Sequence, residues 1–190
     1  MAFKVNKRLE GFSTCFRQWR AEGTHCRFLH GYDVYIDLEI LGEMDARNWV
    51  FDFGALKRSE LKLWRHKQKG KDMLLWAPLQ EMAGDDTNYL TDWELYQPDG
   101  KPLGPAEWLN WLLDHTTIVA EDDPYLEDFK RLAEAGIMQL RILPQVGCEQ
   151  FAKYIHDILS GFVYKDSASK ARLVSVTVHE HAKNSATYAV

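Results

Sequence analysis

Tyr32-Asp33-Val34-Tyr35-Ile36-Asp37-Leu38-Glu39-Ile40 constrains the fold more than any other stretch of this chain. Val34, Ile36, Leu38 and Ile40 fall on one face, and Asp37 and Glu39 on the other. Period two over that length predicts a strand with one face buried. Cys26-Arg27-Phe28-Leu29-His30-Gly31-Tyr32 leads directly into it. A thiol, an imidazole and a phenol are therefore mounted where a loop meets a rigid element, a common place for reactive groups.

The remaining pattern is strands, a helix, an irregular stretch, helices and a strand. Phe3 to Phe16 reads as a first strand whose alternation is broken, with Gly11 marking a bulge or a close backbone approach. Arg17 to Gly31 reads as a loop and Tyr32 to Gly42 as the second strand. A turn follows over Glu43 to Trp49, and Val50-Phe51 is read as continuing the sheet. Asp52 is placed as the cap of a helix reaching about Trp64, with Leu56 and Leu61 inward. Helices are expected over Pro105 to Leu113, Pro124 to Ala135 and Glu149 to Leu159, the last stopped by Gly161. Leu126, Phe129, Leu132 and Ala133 would form the apolar face of the second. Leu140 to Leu143 reads as extended, and Leu173 to Glu180 as the last clear strand. This order predicts an α+β fold, an antiparallel sheet with helices on one face. At 190 residues the chain can bury one core, so a single domain over 1–190 is expected.

The stretch from about 62 to 104 has a different character and is read as an insertion of short strands and loops. Lys62, Arg65, Lys67, Lys69 and Lys71 cluster there, followed by Asp85 and Asp86, and Pro98-Asp99-Gly100-Lys101 signals a turn. A local basic run of this kind is ordinarily a solvated face. A formal net charge of −5 argues against a nucleic-acid partner. No run approaches the roughly eighteen apolar residues of a membrane span. Met1 to Arg8 lacks the apolar core of a signal peptide. The three cysteines are too few and too scattered for a disulfide framework. A cytoplasmic protein is the expectation.

Three positions can carry chemistry. Cys26 is a nucleophile or general base if its thiolate forms, or else a small buried thiol. Asp114-His115 ends a helix, either as a pair that acts on a third group or as a cap with a surface histidine. Glu180 extends the apolar row of Val174, Val176 and Val178. There it must find partners or reach water, and a carboxylate so placed suits the amidine edge of a pterin or guanine. His179 and His181 should point away from it. His30, His25, Cys26 and Cys15 lie close in sequence, but their spacing matches no recognised zinc pattern.

In order, Phe12-Ser13-Thr14-Cys15-Phe16-Arg17, Cys26 to Tyr32, Asp52-Phe53-Gly54-Ala55-Leu56-Lys57, Leu113-Asp114-His115, Glu149 and Val178-His179-Glu180, with Tyr188 beyond, resemble the 6-pyruvoyl tetrahydropterin synthase and 6-carboxy-tetrahydropterin synthase family. The resemblance implies a tunnelling fold (T-fold): a four-stranded antiparallel sheet backed by helices, closed into a barrel in trimers that stack as a homohexamer. It implies a lyase acting on 7,8-dihydroneopterin triphosphate, the 6-carboxy branch leading toward 7-deazaguanines such as queuosine. Cys26 would be the proton-abstracting thiolate, Asp114 and His115 its activating pair, and Glu180 and Glu149 pterin contacts. It also implies zinc on three histidines. Here those positions hold Phe16, His30 and Tyr32, so His30 is the one family ligand that remains. Gly147 stands where the family usually has a threonine. An active lyase with a rebuilt site, a pterin- or purine-binding homologue without turnover, and a purely structural oligomer are the readings these residues leave open.

Overall fold

The computed structural model describes residues 1–82, 92–97 and 99–190. Its elements in chain order are β1 (Ala2–Phe16), a single 3-10 turn (His25–Arg27), β2 (His30–Glu43), α1 (Ala55–Arg58), β3 (Leu61–Gln68), β4 (Lys71–Pro78), α2 (Leu79–Met82), β5 (Glu94–Leu95), α3 (Pro105–Leu113), β6 (Thr116–Ala120), α4 (Leu126–Glu134), β7 (Gln139–Leu143), α5 (Cys148–Asp166), β8 (Ala171–His181) and β9 (Asn184–Ala189). Asp85, Asp86 and Pro98, named above, lie outside the described residues. Among the described residues no helix is long and apolar enough to cross a membrane.

The α+β class is as expected, but the principal sheet has six hydrogen-bonded strands, ordered β7-β6-β1-β2-β8-β9, in place of four. The two extra strands are parallel additions at the β1 edge. Thr14 to Phe16 pair with Thr116 to Ile118, and Thr116 to Ala120 pair with Gln139 to Leu143. β8 and β9 are antiparallel, with an irregularity between His179 and His181. A separate three-stranded sheet runs β4-β3-β5.

The chain divides into two compact units. One comprises Met1–Val5, Glu39–Trp108 and Asp157–Val174, the other Asn6–Leu38, Leu109–His156 and Ser175–Val190. The second unit carries every candidate residue of the sequence reading. Gly11, at φ 90°, explains the broken alternation of β1. Glycine adopts that conformation without steric cost, and the bulge shifts the inward parity from Lys7 and Leu9 to Phe12, Thr14 and Phe16. Those three are buried, as are Val34, Ile36 and Leu38 of β2, Val176 and Val178 of β8, and Phe151, Ala152 and Ile155 of α5. Each large side chain so buried contributes about 1.5–3 kcal/mol, against about 0–1 for an exposed ion pair. The inward row, not the surface charges, sets the register. In α4 only Phe129 is buried, and Leu132 is 38% exposed, so the expected apolar face is narrower than its spacing suggests.

In the first unit the helix expected from Asp52 to Trp64 is only α1, four residues long. Asp52 accepts the Gly54 N–H at 2.8 Å. Ser59 then turns extended, and its hydroxyl accepts the Leu61 N–H at 3.2 Å. From there β3 pairs with β4 along its whole length, and Leu61 and Leu63 are buried at strand spacing. Lys69 and Gly70, both at positive φ, form the two-residue turn that suits a hairpin. Val50 and Phe51 are buried but not in a strand. Lys67, Lys69 and Lys71 are solvated, whereas Arg65 pairs with Glu94 at 2.9 Å and Lys62 lies 3.8 Å from Glu107. Gly161 does not stop α5. A methyl there would sit 3.6 Å from the Trp76 ring, an ordinary contact, and the Trp76 N–H donates to the Ile158 carbonyl at 2.8 Å.

Asp166, near the end of α5, accepts a hydrogen bond from Ser59 Oγ at 3.0 Å. Burial, helped by the charge of Asp52, holds its carboxyl above the ordinary range despite that bond. Its ionised form is thus disfavoured in the folded state. Folded protein binds the proton more readily than unfolded chain, so stability falls as pH rises through this window. Asp166→Asn is expected to raise Tm at pH 7 and to lose that advantage below about pH 4, read by thermal unfolding at both pH values.

Candidate active site

The second unit gathers an aromatic column at the start of β2. Phe16 is fully buried, stacks on Tyr32 with centroids 4.1 Å apart and planes 11° apart, and meets Phe151 edge-on at 5.0 Å. Tyr32 is half-buried, and its hydroxyl bonds to His30 Nε2. His30 Nδ1 lies 2.7 Å from the Phe28 carbonyl. A carbonyl only accepts, so Nδ1 carries the hydrogen. With the hydrogen on Nδ1, Nε2 is left as an acceptor, and the Tyr32 hydroxyl donates a hydrogen bond to it.

Zinc was implied at these three positions. Phe16 has no donor atom, and the one free lone pair of His30 is engaged by Tyr32. Among the described residues no group of three or more His, Cys, Asp or Glu side chains is arranged to hold a metal. The residues present do not fit the ion.

Around the phenol stand the groups that can do chemistry. Burial first, and then Glu180, Cys26, Cys148 and Cys15, push Tyr32 far above the usual phenol range, so it stays protonated. Cys26 sits in the 3-10 turn, partly exposed, and its carbonyl accepts the Gln18 N–H at 2.8 Å, pinning both ends of the intervening loop. Cys15 is partly buried, which raises its pKa. Glu180 is half-exposed near the end of β8, with Asn184 3.4 Å away. It also takes a hydrogen bond from Cys148, whose thiol is pushed up chiefly by burial and further by Glu180. Sequence reasoning missed Cys148. Its position beside Glu149 at the opening of α5 was the available signal, but nothing local names Glu180 as its partner.

Asp114 and His115 lie at the α3–β6 junction, 2.9 Å apart. Asp114 accepts the Ser13 N–H at 3.2 Å, and His115, at φ 53°, donates its own N–H to the Ser13 carbonyl at 2.6 Å. Burial opposes ionisation of Asp114, but the Ser13 and His115 contacts outweigh it and leave the carboxyl below its ordinary value. Among the described residues neither side chain bonds to Cys26.

Glu149 is exposed on the wall of a different cavity, about 540 Å³, with Arg17, Gln18, Trp19, Arg20, Asp122 and Gln145 among its lining residues. Arg17 Nε donates to the buried Asp123 at 2.8 Å, and Asp122 holds both Trp19 and Arg20. The first two residues of α5 thus face different surroundings, Cys148 toward Glu180 and Glu149 toward this cavity. Gly147, at φ 137°, makes that turn, and a Cβ there would come within 2.5 Å of the Gln18 amide. The backbone explains the departure from threonine. Gly147→Thr is expected to cost about 1–3 kcal/mol of stability, measured by urea unfolding.

His179 points away from Glu180, as expected. It lies 3.0 Å from Asp37, stacks on Tyr35 at 4.1 Å, and shares Asp37 with Arg8. Tyr188, on β9, meets His156 edge-on at 5.0 Å.

No family model matches the chain, and no curated protein matches it. Solved structures do. An uncharacterized protein of Wolinella succinogenes matches at TM-score 0.64 and 16% identity, covering 100% of this chain and 98% of its own. The Caenorhabditis elegans 6-pyruvoyl tetrahydropterin synthase matches at 0.51 and 15%, covering 100% and 96%. A catalytic-residue mutant of the Plasmodium vivax 6-pyruvoyltetrahydropterin synthase matches at 0.53 and 14%, covering 98% and 97%. The chain has the fold of these synthases along nearly its whole length.

Proposed function

We propose that the chain is a pterin-forming lyase acting on 7,8-dihydroneopterin triphosphate, of the 6-carboxy-tetrahydropterin synthase kind that serves the 7-deazaguanine route. It would work in the cytoplasm as a homohexamer, a dimer of trimers. One observation carries the reading: Cys26, Cys148 and the carboxylate of Glu180 all lie within electrostatic reach of the Tyr32 phenol in a protein with the synthase fold. Glu180 would accept two N–H bonds from the amino-pyrimidinone edge of the ring. Cys26 would remove the side-chain proton, with Asp114 and His115 relaying protons as substrate bridges the space to them. Glu149 would contact substrate from the neighbouring cavity.

The bond from Tyr32 to His30 favours a second reading, a homologue that binds a pterin or purine ring without turnover. The two are separated by incubating the protein with 7,8-dihydroneopterin triphosphate while following triphosphate release and the new pterin by chromatography. Binding of 7,8-dihydroneopterin, which has no leaving group, is measured by calorimetry alongside. Release together with binding supports the lyase, binding alone supports the second reading, and neither sinks both. Glu180→Gln is expected to weaken ring binding about 10- to 100-fold, the worth of a charge-assisted pair.

A further inference from the structure

We infer that this site works without a metal ion, the Tyr32–His30 pair standing where a metal would be held. Two independent observations carry the inference. The first is the use of lone pairs. The Phe28 carbonyl holds the hydrogen on His30 Nδ1, and the Tyr32 hydroxyl donates to the lone pair on Nε2. A metal could bind His30 only by displacing that proton donor. The second is the use of space. Phe16 is fully buried and lies flat on Tyr32, while its edge is closed by Phe151. Admitting an ion beside His30 would unstack two rings in a close-packed interior, where interfaces of this kind do not open freely. Nor do the nearby thiols supply a substitute set: among the described residues Cys15, Cys26 and Cys148 do not group with His, Asp or Glu side chains to hold a metal.

What the site offers a ligand follows from the same geometry. Tyr32 has given its one hydrogen to His30, so its oxygen presents lone pairs alone. Glu180 presents a carboxylate. Two acceptors on one site select a ligand edge rich in N–H or O–H donors and leave a phosphate group ungripped there. That the ring is a pterin rests on the proposed function, whereas the absence of a metal does not.

The test is a zinc count that needs no pterin. Wild-type protein is dialysed with zinc, then against buffer, and analysed by mass spectrometry; His30→Ala is treated alongside. The expected content is well below one zinc per chain, or zinc that His30→Ala retains because it sits elsewhere. Stoichiometric zinc lost with His30→Ala overturns the inference. The ¹⁵N shifts of His30 provide a second readout: an Nδ1–H tautomer unchanged by added zinc supports it, and a zinc-induced shift overturns it. In calorimetry with 7,8-dihydroneopterin, o-phenanthroline should leave Kd unchanged and Tyr32→Phe should weaken binding about 3- to 10-fold. Loss of binding with the chelator overturns it, and an unchanged Kd in Tyr32→Phe overturns the acceptor role given to the Tyr32 oxygen. Wild-type protein that binds no dihydroneopterin counts against the pterin reading alone, and the zinc and ¹⁵N results still decide the metal.

Discussion

A Cys26→Ala protein is expected to turn over 7,8-dihydroneopterin triphosphate about 10²- to 10⁴-fold more slowly than the wild type, the usual worth of a positioned general base. The variant should otherwise be sound. Cys26 closes its loop through its backbone carbonyl, which accepts from Gln18, and alanine keeps that bond. Its side chain is partly exposed, so truncation leaves no enclosed cavity. Ring binding should persist, because Glu180 is untouched. The expected signature is therefore a fall in kcat with circular dichroism, Tm and dihydroneopterin affinity all close to wild type. Turnover at the wild-type rate would remove Cys26 from the chemistry and leave Asp114 and His115 as the groups to examine.

β2 was legible because only one of its faces is buried, and alternation records that directly. β6 was not, because all five of its residues are buried, and a strand covered on both faces carries no alternation. The stretch after Asp52 reads as helical from local signals, yet from Leu61 the backbone finds its partners in β4, and pairing over a full strand outweighs propensity. β9 was missed for want of a periodic apolar row: Asn184-Ser185-Ala186-Thr187-Tyr188-Ala189 is polar and small, and its register comes from β8. The same division runs through the site. Cys26, His30 and Tyr32 were legible together because they are neighbours in sequence at a strand entrance. That Tyr32 consumes the free lone pair of His30 depends on side-chain orientation, and that Cys148 holds Glu180 depends on how α5 meets β8. Neither leaves a trace in residue order.

Phe16→Ala is expected to destabilise the protein by about 3–5 kcal/mol, the range for truncating a buried aromatic side chain. The ring is fully buried, stacked on Tyr32 and closed edge-on by Phe151, so the void would have aromatic walls on two sides. Each aromatic pair adds about 0.5–1.5 kcal/mol beyond area, and a domain's whole stability is about 5–15. The loss is thus a large fraction of the total and should appear as a lower urea midpoint with unchanged slope. Phe16→Leu refills much of the space and should cost clearly less, while still removing the flat surface under Tyr32. Comparing the two separates packing from orientation. If Tyr32 depends on the stack for its aim at His30, the ¹⁵N signature of the Tyr32–His30 bond weakens in Phe16→Leu although the protein remains folded. A loss below about 1 kcal/mol in Phe16→Ala would mean the column is not part of the core. The argument that it excludes an ion by occupying the space would then fail with it.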